Sequence, residues 1–259
     1  MSAMPPRGRL YLVPAPLDHG CDVQVPLADV LPAGTIAQAA ALTHWVAENA
    51  KSTRALLKRI DAVQPLAQPI QAQHIAELPR DVHKKGDHQT SATWDARPLL
   101  AAALAGQDVG LVSEAGMPAV ADPGSSVVRA AHQLGIEVLP LTGPVSLLLA
   151  LAASGLNGQN FAFTGYLPQD AIARTTQIQQ ISRAVQQSGQ TRIVIETPYR
   201  NQVLLEALLS GLDGQLRLCV ASGLTLPDAD GARSASVAEW RQARWAVTPK
   251  APAVFLIGR

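Results

Sequence analysis

The chain has 259 residues, with 21 Lys and Arg against 20 Asp and Glu for a formal charge of +1; 47% of its residues are apolar and 16% charged. That length suits one large domain or two small ones, the apolar share supports a sizeable core, and the charge balance leaves room for a local basic patch but not a broad basic face. Cys21 and Cys219 lie far apart and form no CxxC, which argues against a disulfide scaffold and a cysteine-based zinc site.

In chain order, residues 9–13 (RLYLV), 108–113 (DVGLVS), 136–141 (IEVLPL), 161–164, 191–196 (TRIVIE), 216–221 and 253–258 (AVFLIG) read as short buried strands. Residues 38–47 read as a weaker strand ending at Glu48, and 69–75 as another. Ala-, Leu- and Gln-rich stretches of helical spacing lie between the strands, and residues 51–60 and 97–105 read as helices. Strands alternating with helices predict α/β architecture with mostly parallel sheets. Asp122-Pro123-Gly124 is expected to open a helix, with Asp122 accepting from free N–H groups and Gly135 closing it. Residues 142–144 lead into a second helix that Gly155 ends. Residues 78–93 and 223–236 read as loops. The domain seam falls near 142–146, giving domains 1–142 and 143–259.

No run of about 18 apolar residues suggests a membrane span, and the N-terminus lacks a basic region followed by a long apolar one. The expected location is cytoplasmic, with no membrane partner.

Four loops follow predicted strands: residues 14–20 (PAPLDHG), 114–124 (EAGMPAVADPG), 142–146 (TGPVS) and 197–201 (TPYRN). Ligands of open parallel sheets sit beyond the carboxyl ends of strands, and Gly- and Pro-rich loops let backbone approach a ligand closely. Any one of them alone reads more readily as a tight turn. No GxGxxG, GxxxxGK[ST] or GxSxG occurs in the required setting, which disfavours dinucleotide, P-loop and nucleophile-elbow chemistry. His83 and His88 belong to a polar loop, His44 reads as a packed histidine and His132 as a surface one, so no metal site is expected. Lys51, Arg54 and Lys58 share a helix face, either a solvated one or a track for phosphates. Glu48, Glu114 and Glu196 end predicted strands.

The segments LYLVPAPL (10–17), VSEAGMPAVADPG (112–124), LTGPVSLLLALAASGL (141–156), FAFTGYLP (161–168), ETPYR (196–200) and KAPAVFLIG (250–258), in this order, resemble the tetrapyrrole methylase superfamily. The closer resemblance is to its small-subunit rRNA cytidine 2′-O-methyltransferase branch. The resemblance implies two α/β domains, each a mostly parallel sheet flanked by helices, with a cleft for S-adenosylmethionine (SAM) between them. It further implies that Pro16 and Leu17 touch the cofactor and that Gly116, Met117, Pro118 and Val120 line its methionine side. Val145 and Ser146 would form the adjoining loop, with Tyr199, Ala221 and Pro252 near the adenine. It implies a homodimer and an RNA substrate, with a tetrapyrrole-like small molecule or a SAM-binding module without turnover as alternatives. A ribose hydroxyl needs a proton acceptor, for which Glu114 and Glu48 are the candidates. The chain departs from the branch in its first loop, where Leu17-Asp18-His19-Gly20 stands, and in residues 47–54, which read AENAKSTR.

Overall fold

A computed structural model describes residues 6–79, 94–227, 231–248 and 251–259. Most of the expected 78–93 loop, including His83 and His88, lies outside the described residues. The chain divides into two compact units, Met1–His19 with Val25–Val145, and Gly20–Gln24 with Ser146–Arg259.

The first unit holds β1 (Leu10–Leu12), α1 (Leu27–Val30), α2 (Ala33–Ala41), β2 (His44–Ala47), α3 (Ala50–Asp61), β3 (His74–Glu77), α4 (Ala101–Leu104), β4 (Val109–Val112), α5 (Ser125–Gln133) and β5 (Val138–Pro140). Its sheet has the order β3-β2-β4-β1-β5, with every pair parallel. Successive strand residues alternate between two cores. Tyr11, Trp45 and Val112 pack with α2 and α3, whereas Leu10, Val46 and Leu111 pack with α5 and the helical turn before α4. Gly110 is bare because the Trp45 ring lies across it: a Cβ there would stand 2.6 Å from that ring. The Trp45 Nε1 donates to Gln73 Oε1 at 2.9 Å, which satisfies the one polar atom of a buried indole.

The second unit holds α6 (Ser146–Ser154), β6 (Phe161–Gly165), α7 (Ala171–Ser188), β7 (Thr191–Ile195), α8 (Asn201–Gly211), β8 (Arg217–Ser222), β9 (Gly231–Ser236), α9 (Val237–Ala243) and β10 (Ala253–Gly258). Its sheet order is β6-β7-β10-β8-β9. Only β6 and β7 pair in parallel; β10 runs antiparallel to β7 and β8, and β9 antiparallel to β8. This corrects the expectation of a mostly parallel second sheet. The crossover helices α7 and α8 do bring β6, β7 and β8 back in one direction. After β8, however, a hairpin reverses the chain into β9, and α9 returns it in that reversed sense to insert β10 between β7 and β8. The strand β9 (GARSAS) reads as loop in sequence because its residues carry no apolar alternation; at the sheet edge only Ala235 is buried. The α7–α9 face carries the larger core, around Phe255, Ile178 and Leu205, and among the described residues of this unit α6 is the helix on the other face.

Two further expectations change. The N-cap of α5 is Gly124 at φ 133, with no side-chain cap, so Asp122 belongs to the preceding loop. Residues 38–47 are the end of α2 followed by β2, and 69–75 a helical turn that leads into β3. Gly135 and Gly155 do close their helices, both in the left-handed region.

Candidate functional site

β1 lies between β4 and β5, so the loops that leave their carboxyl ends are neighbours. Ala15 and Gly116 join two of them by reciprocal backbone hydrogen bonds, each 2.9 Å. Gly116 holds φ +72, and a Cβ there would stand 3.3 Å from Leu17 Cδ2 and 3.7 Å from the Pro144 carbonyl oxygen. At Gly143 a Cβ would collide with the Pro14 ring. The Thr35 hydroxyl donates to the Thr142 carbonyl at 2.8 Å and ties the third loop to α2. The structure thus gathers Pro16, Leu17 and Gly116 where side-chain bulk is excluded and backbone is presented. Val145 follows the same loop; Ser146 is the first residue of α6.

The loop after β4 is contorted. Besides Gly116 and Gly124, Ala119 and Ala121 adopt left-handed φ values of 65 and 63, a conformation that costs residues with a side chain of the order of 1 kcal/mol or more. The Ala119 N–H bonds back to the Pro123 carbonyl and the Val120 N–H to that of Met117, leaving Val120 exposed and Pro118 buried.

Carboxylates crowd the same edge. Glu48, just beyond β2, accepts from the Glu114 N–H at 3.2 Å. Glu114 in turn faces His19, whose Nε2 stands 3.5 Å from Oε2. Burial pushes the Asp122 carboxyl up to about 7, and the Glu48 and Glu114 charges add to that rise. The two expected carboxylates therefore do meet, joined by Asp122 and His19. Sequence reading misses both additions: Asp122 stands in a DPG that suits a helix cap, and His19 meets a carboxylate far along the chain.

The second sheet has its own loop-bearing edge. The register pairs Ile195 with Val254 and Val254 with Ala221, which sets the carboxyl ends of β7 and β8 beside the start of β10. The Gly223 N–H donates to the Pro252 carbonyl at 2.9 Å. Tyr199 is exposed in the turn after β7, whereas Ala221 is fully buried within β8. Glu196 accepts from the Thr197 N–H at 2.8 Å and faces Arg200 at 3.4 Å. Asn201 donates to the Ala251 carbonyl at 2.9 Å, but its Oδ1 has no partner, nor do the buried hydroxyls of Ser222 and Thr225. Thr225 also has a left-handed φ of 71. Buried polar atoms left unpaired cost about 1–3 kcal/mol each, and three of the seven such atoms among the described residues lie in the segments that follow β7 and β8 or at the end of β8. Asn201 ends the TPYRN loop and Thr225 lies in the loop after β8, but nothing in sequence singles out these side chains or Ser222 within their segments.

Among the described residues no group of three or more His, Cys, Asp or Glu side chains is arranged to hold a metal ion. No helix among them is long and apolar enough to cross a membrane.

The family described as Tetrapyrrole (Corrin/Porphyrin) Methylases matches residues 28–234, most of the chain. A Vibrio cholerae protein named ribosomal RNA small subunit methyltransferase I is 30% identical over 216 residues, covering 83% of this chain and 65% of that protein. The Pseudomonas aeruginosa protein of the same name is 42% identical over 123 residues, 46% of this chain and 41% of the relative. The chain thus spans less than two thirds of the length of these relatives. Among solved structures, the uroporphyrin III C-methyl transferase from Thermus thermophilus superposes with a TM-score of 0.51 at 17% identity, covering 97% of this chain and 98% of that one. The methyltransferase CobJ does so at 0.51 and 18%, covering 97% and 94%. Identities so low speak to the fold alone, whereas the family match rests on the sequence itself: the chain belongs to the tetrapyrrole (corrin/porphyrin) methylase family.

Proposed function

We propose that the protein is a SAM-dependent methyltransferase that methylates the ribose 2′-oxygen of small-subunit ribosomal RNA. The observation that carries the reading is the pair of loops joined at Ala15 and Gly116, where a glycine of left-handed φ faces Leu17 and a side chain would be strained and crowded. Such a cradle suits a ligand gripped through backbone groups, and the buried unpaired polar atoms around Ser222 suit the polar face of a nucleoside. The choice of RNA follows the name shared by the relatives.

In this reading Pro16, Leu17, Gly116, Met117, Pro118, Val120, Val145 and Ser146 hold the methionine portion of the cofactor, and Tyr199, Ala221 and Pro252 its adenine. The cofactor supplies an electrophilic methyl group on a sulfonium whose sulfur leaves neutral. The chain's own work is to align the hydroxyl, keep water out and take up one proton. A ribose hydroxyl is a poor nucleophile, so one carboxylate of the Glu114 and Glu48 pair accepts that proton, Glu114 being the first candidate. The Glu114 N–H bond to Glu48 fixes the second carboxylate, and His19 lies beside the first. The protein acts in the cytoplasm as a homodimer. Phe161 and Phe163 on the edge strand β6, and Leu148 and Leu149 on α6, are exposed apolar side chains that suit a second copy.

The test is methyl transfer from labelled SAM to an unmodified small-subunit rRNA transcript, with uroporphyrinogen as the competing acceptor. Label in RNA at a ribose oxygen, reduced at least about tenfold by Glu114→Gln with cofactor affinity retained, is the expected result. Label found only in the tetrapyrrole would overturn it.

A further inference from the structure

The whole-chain charge of +1 gives no general attraction to a polyanion, so any phosphate-binding surface has to be local. α3 supplies one. Its buried stripe is Thr53, Leu56, Leu57 and Ile60, and its exposed face presents Lys51, Arg54 and Lys58. These three cations follow one another at three- and four-residue spacing, so each crowds the next. None forms an ion pair with a described residue; the Arg54 guanidinium reaches only the Ala50 carbonyl of its own helix, at 3.5 Å. The first turn contains no acidic residue, and Lys51 sits in it against the helix dipole. Asp61, the helix's one carboxylate, lies at the far end and accepts from the Leu66 N–H. Like charges placed this way weaken the isolated helix, and nothing within it relieves them.

The position of α3 gives those charges a use. The helix starts from Asn49, whose side chain caps it, immediately after Glu48 at the carboxyl edge of the first sheet. Its other side is clamped to the first loop: Arg59 grips Asp18 with two bonds of 2.9 Å and the Val25 carbonyl at 2.7 Å. The cationic face therefore runs outward from the carboxylate cluster on a helix that cannot swing away. Lys51 to Lys58 spans about 10 Å of helix axis, which matches about three backbone repeats of a nucleic-acid strand.

We infer that the exposed face of α3 is a phosphodiester-binding surface on which the RNA strand lies as it enters the site, held by Lys51, Arg54 and Lys58. This rests on the RNA reading above and adds to it the surface that holds the strand.

The experiment compares the full-length wild type, the triple variant K51Q/R54Q/K58Q and the charge-preserving double variant K51R/K58R. Binding of an unmodified small-subunit rRNA transcript is followed by fluorescence anisotropy from about 0.05 to about 0.3 M salt, and SAM binding by calorimetry. Three lost phosphate contacts should make the slope of log K against log salt shallower by about 2 and lower affinity on the order of a hundredfold near 0.1 M salt. SAM affinity should be unchanged, and the K51R/K58R protein should bind RNA as the wild type does. A wild type that binds the transcript with a steep salt slope, together with a triple variant showing the same slope, overturns the surface and leaves the RNA reading standing. A wild type that neither binds nor methylates the transcript overturns the RNA reading, and the surface with it.

Discussion

Gly116 is where side-chain volume and backbone conformation act together. Its φ of +72 and the 3.3 Å gap between a Cβ and Leu17 Cδ2 mean that Gly116→Ala suffers a left-handed conformation and a tight contact in one step. The expected outcome is a stability loss of about 1–2 kcal/mol in chemical denaturation. SAM affinity should fall at least about tenfold by calorimetry, since that converts to about 1.4 kcal/mol of lost contact. Unchanged SAM affinity would remove this loop from the site. Asp122 offers a test by titration. Its carboxyl holds a proton up to about 7 in the folded chain, whereas an unfolded aspartate releases it near the ordinary value of 3.8. The folded state thus binds the extra proton between those limits, and its contribution to stability is complete at low pH and lost as pH rises through 7. Asp122→Asn removes the ionisation. Melting temperatures compared near pH 5 and pH 8 should fall less in the variant than in the wild type. The difference at the higher pH is worth a few kcal/mol, at about 1.4 kcal/mol for each tenfold change in proton affinity. Equal falls would mean that Asp122 ionises freely.

At the scale of elements, the strap from β1 to α1 hangs on one ion pair. Asp18 is almost wholly buried, receives both Arg59 nitrogens and also accepts from the Val25 N–H at 3.0 Å. Asp18→Ala strands a largely buried guanidinium and an amide together, so a loss of about 3 kcal/mol is expected by urea denaturation. A loss below about 1 kcal/mol would show that solvent takes over both roles. This pair also illustrates what is legible in sequence. The seven strands read from short apolar runs all exist: β1, β4, β7, β8 and β10 lie inside their sheets and announce themselves by composition, and the edge strands β5 and β6 keep apolar runs although they are partly exposed. The loops at their carboxyl ends are legible for the same reason, as Gly and Pro mark backbone geometry directly. The Arg59–Asp18 clamp, by contrast, joins residues 41 positions apart, and no local pattern encodes such a partnership. β9 is hidden because an edge strand needs little apolar content, and with it goes the antiparallel character of the second sheet. Asp122 misleads for a subtler reason: a DPG sequence suits a helix start, but Gly124 at φ 133 places the cap two residues later and leaves the carboxyl to the site.

The molecule as a whole shows an asymmetry in its second sheet. Among the described residues of this unit, three helices cover the face that holds Phe255, whereas α6, nine residues long, is the one helix on the face that holds Ile193 and Leu256. Phe161 and Phe163 on the edge strand β6 pair with Thr191 and Ile193, so they point to that thinly covered face and stay 42% and 41% exposed. Leu148 and Leu149 of α6 are exposed to a similar degree, 51% and 40%. Phe161 and Phe163 lie two residues apart on the same face of one edge strand, and burying exposed apolar side chains of this kind in a partner is worth up to about 1.5–3 kcal/mol each. For a chain of 27.3 kDa, light scattering of the wild type should therefore give a particle of twice that mass. Phe163→Glu combined with Leu149→Glu should give the single-chain mass with SAM binding retained, because desolvating two carboxylates outweighs the contact. A wild type that scatters as one chain would refute the dimer. A dimer indifferent to both substitutions would place its interface on another face and leave these four side chains without a function.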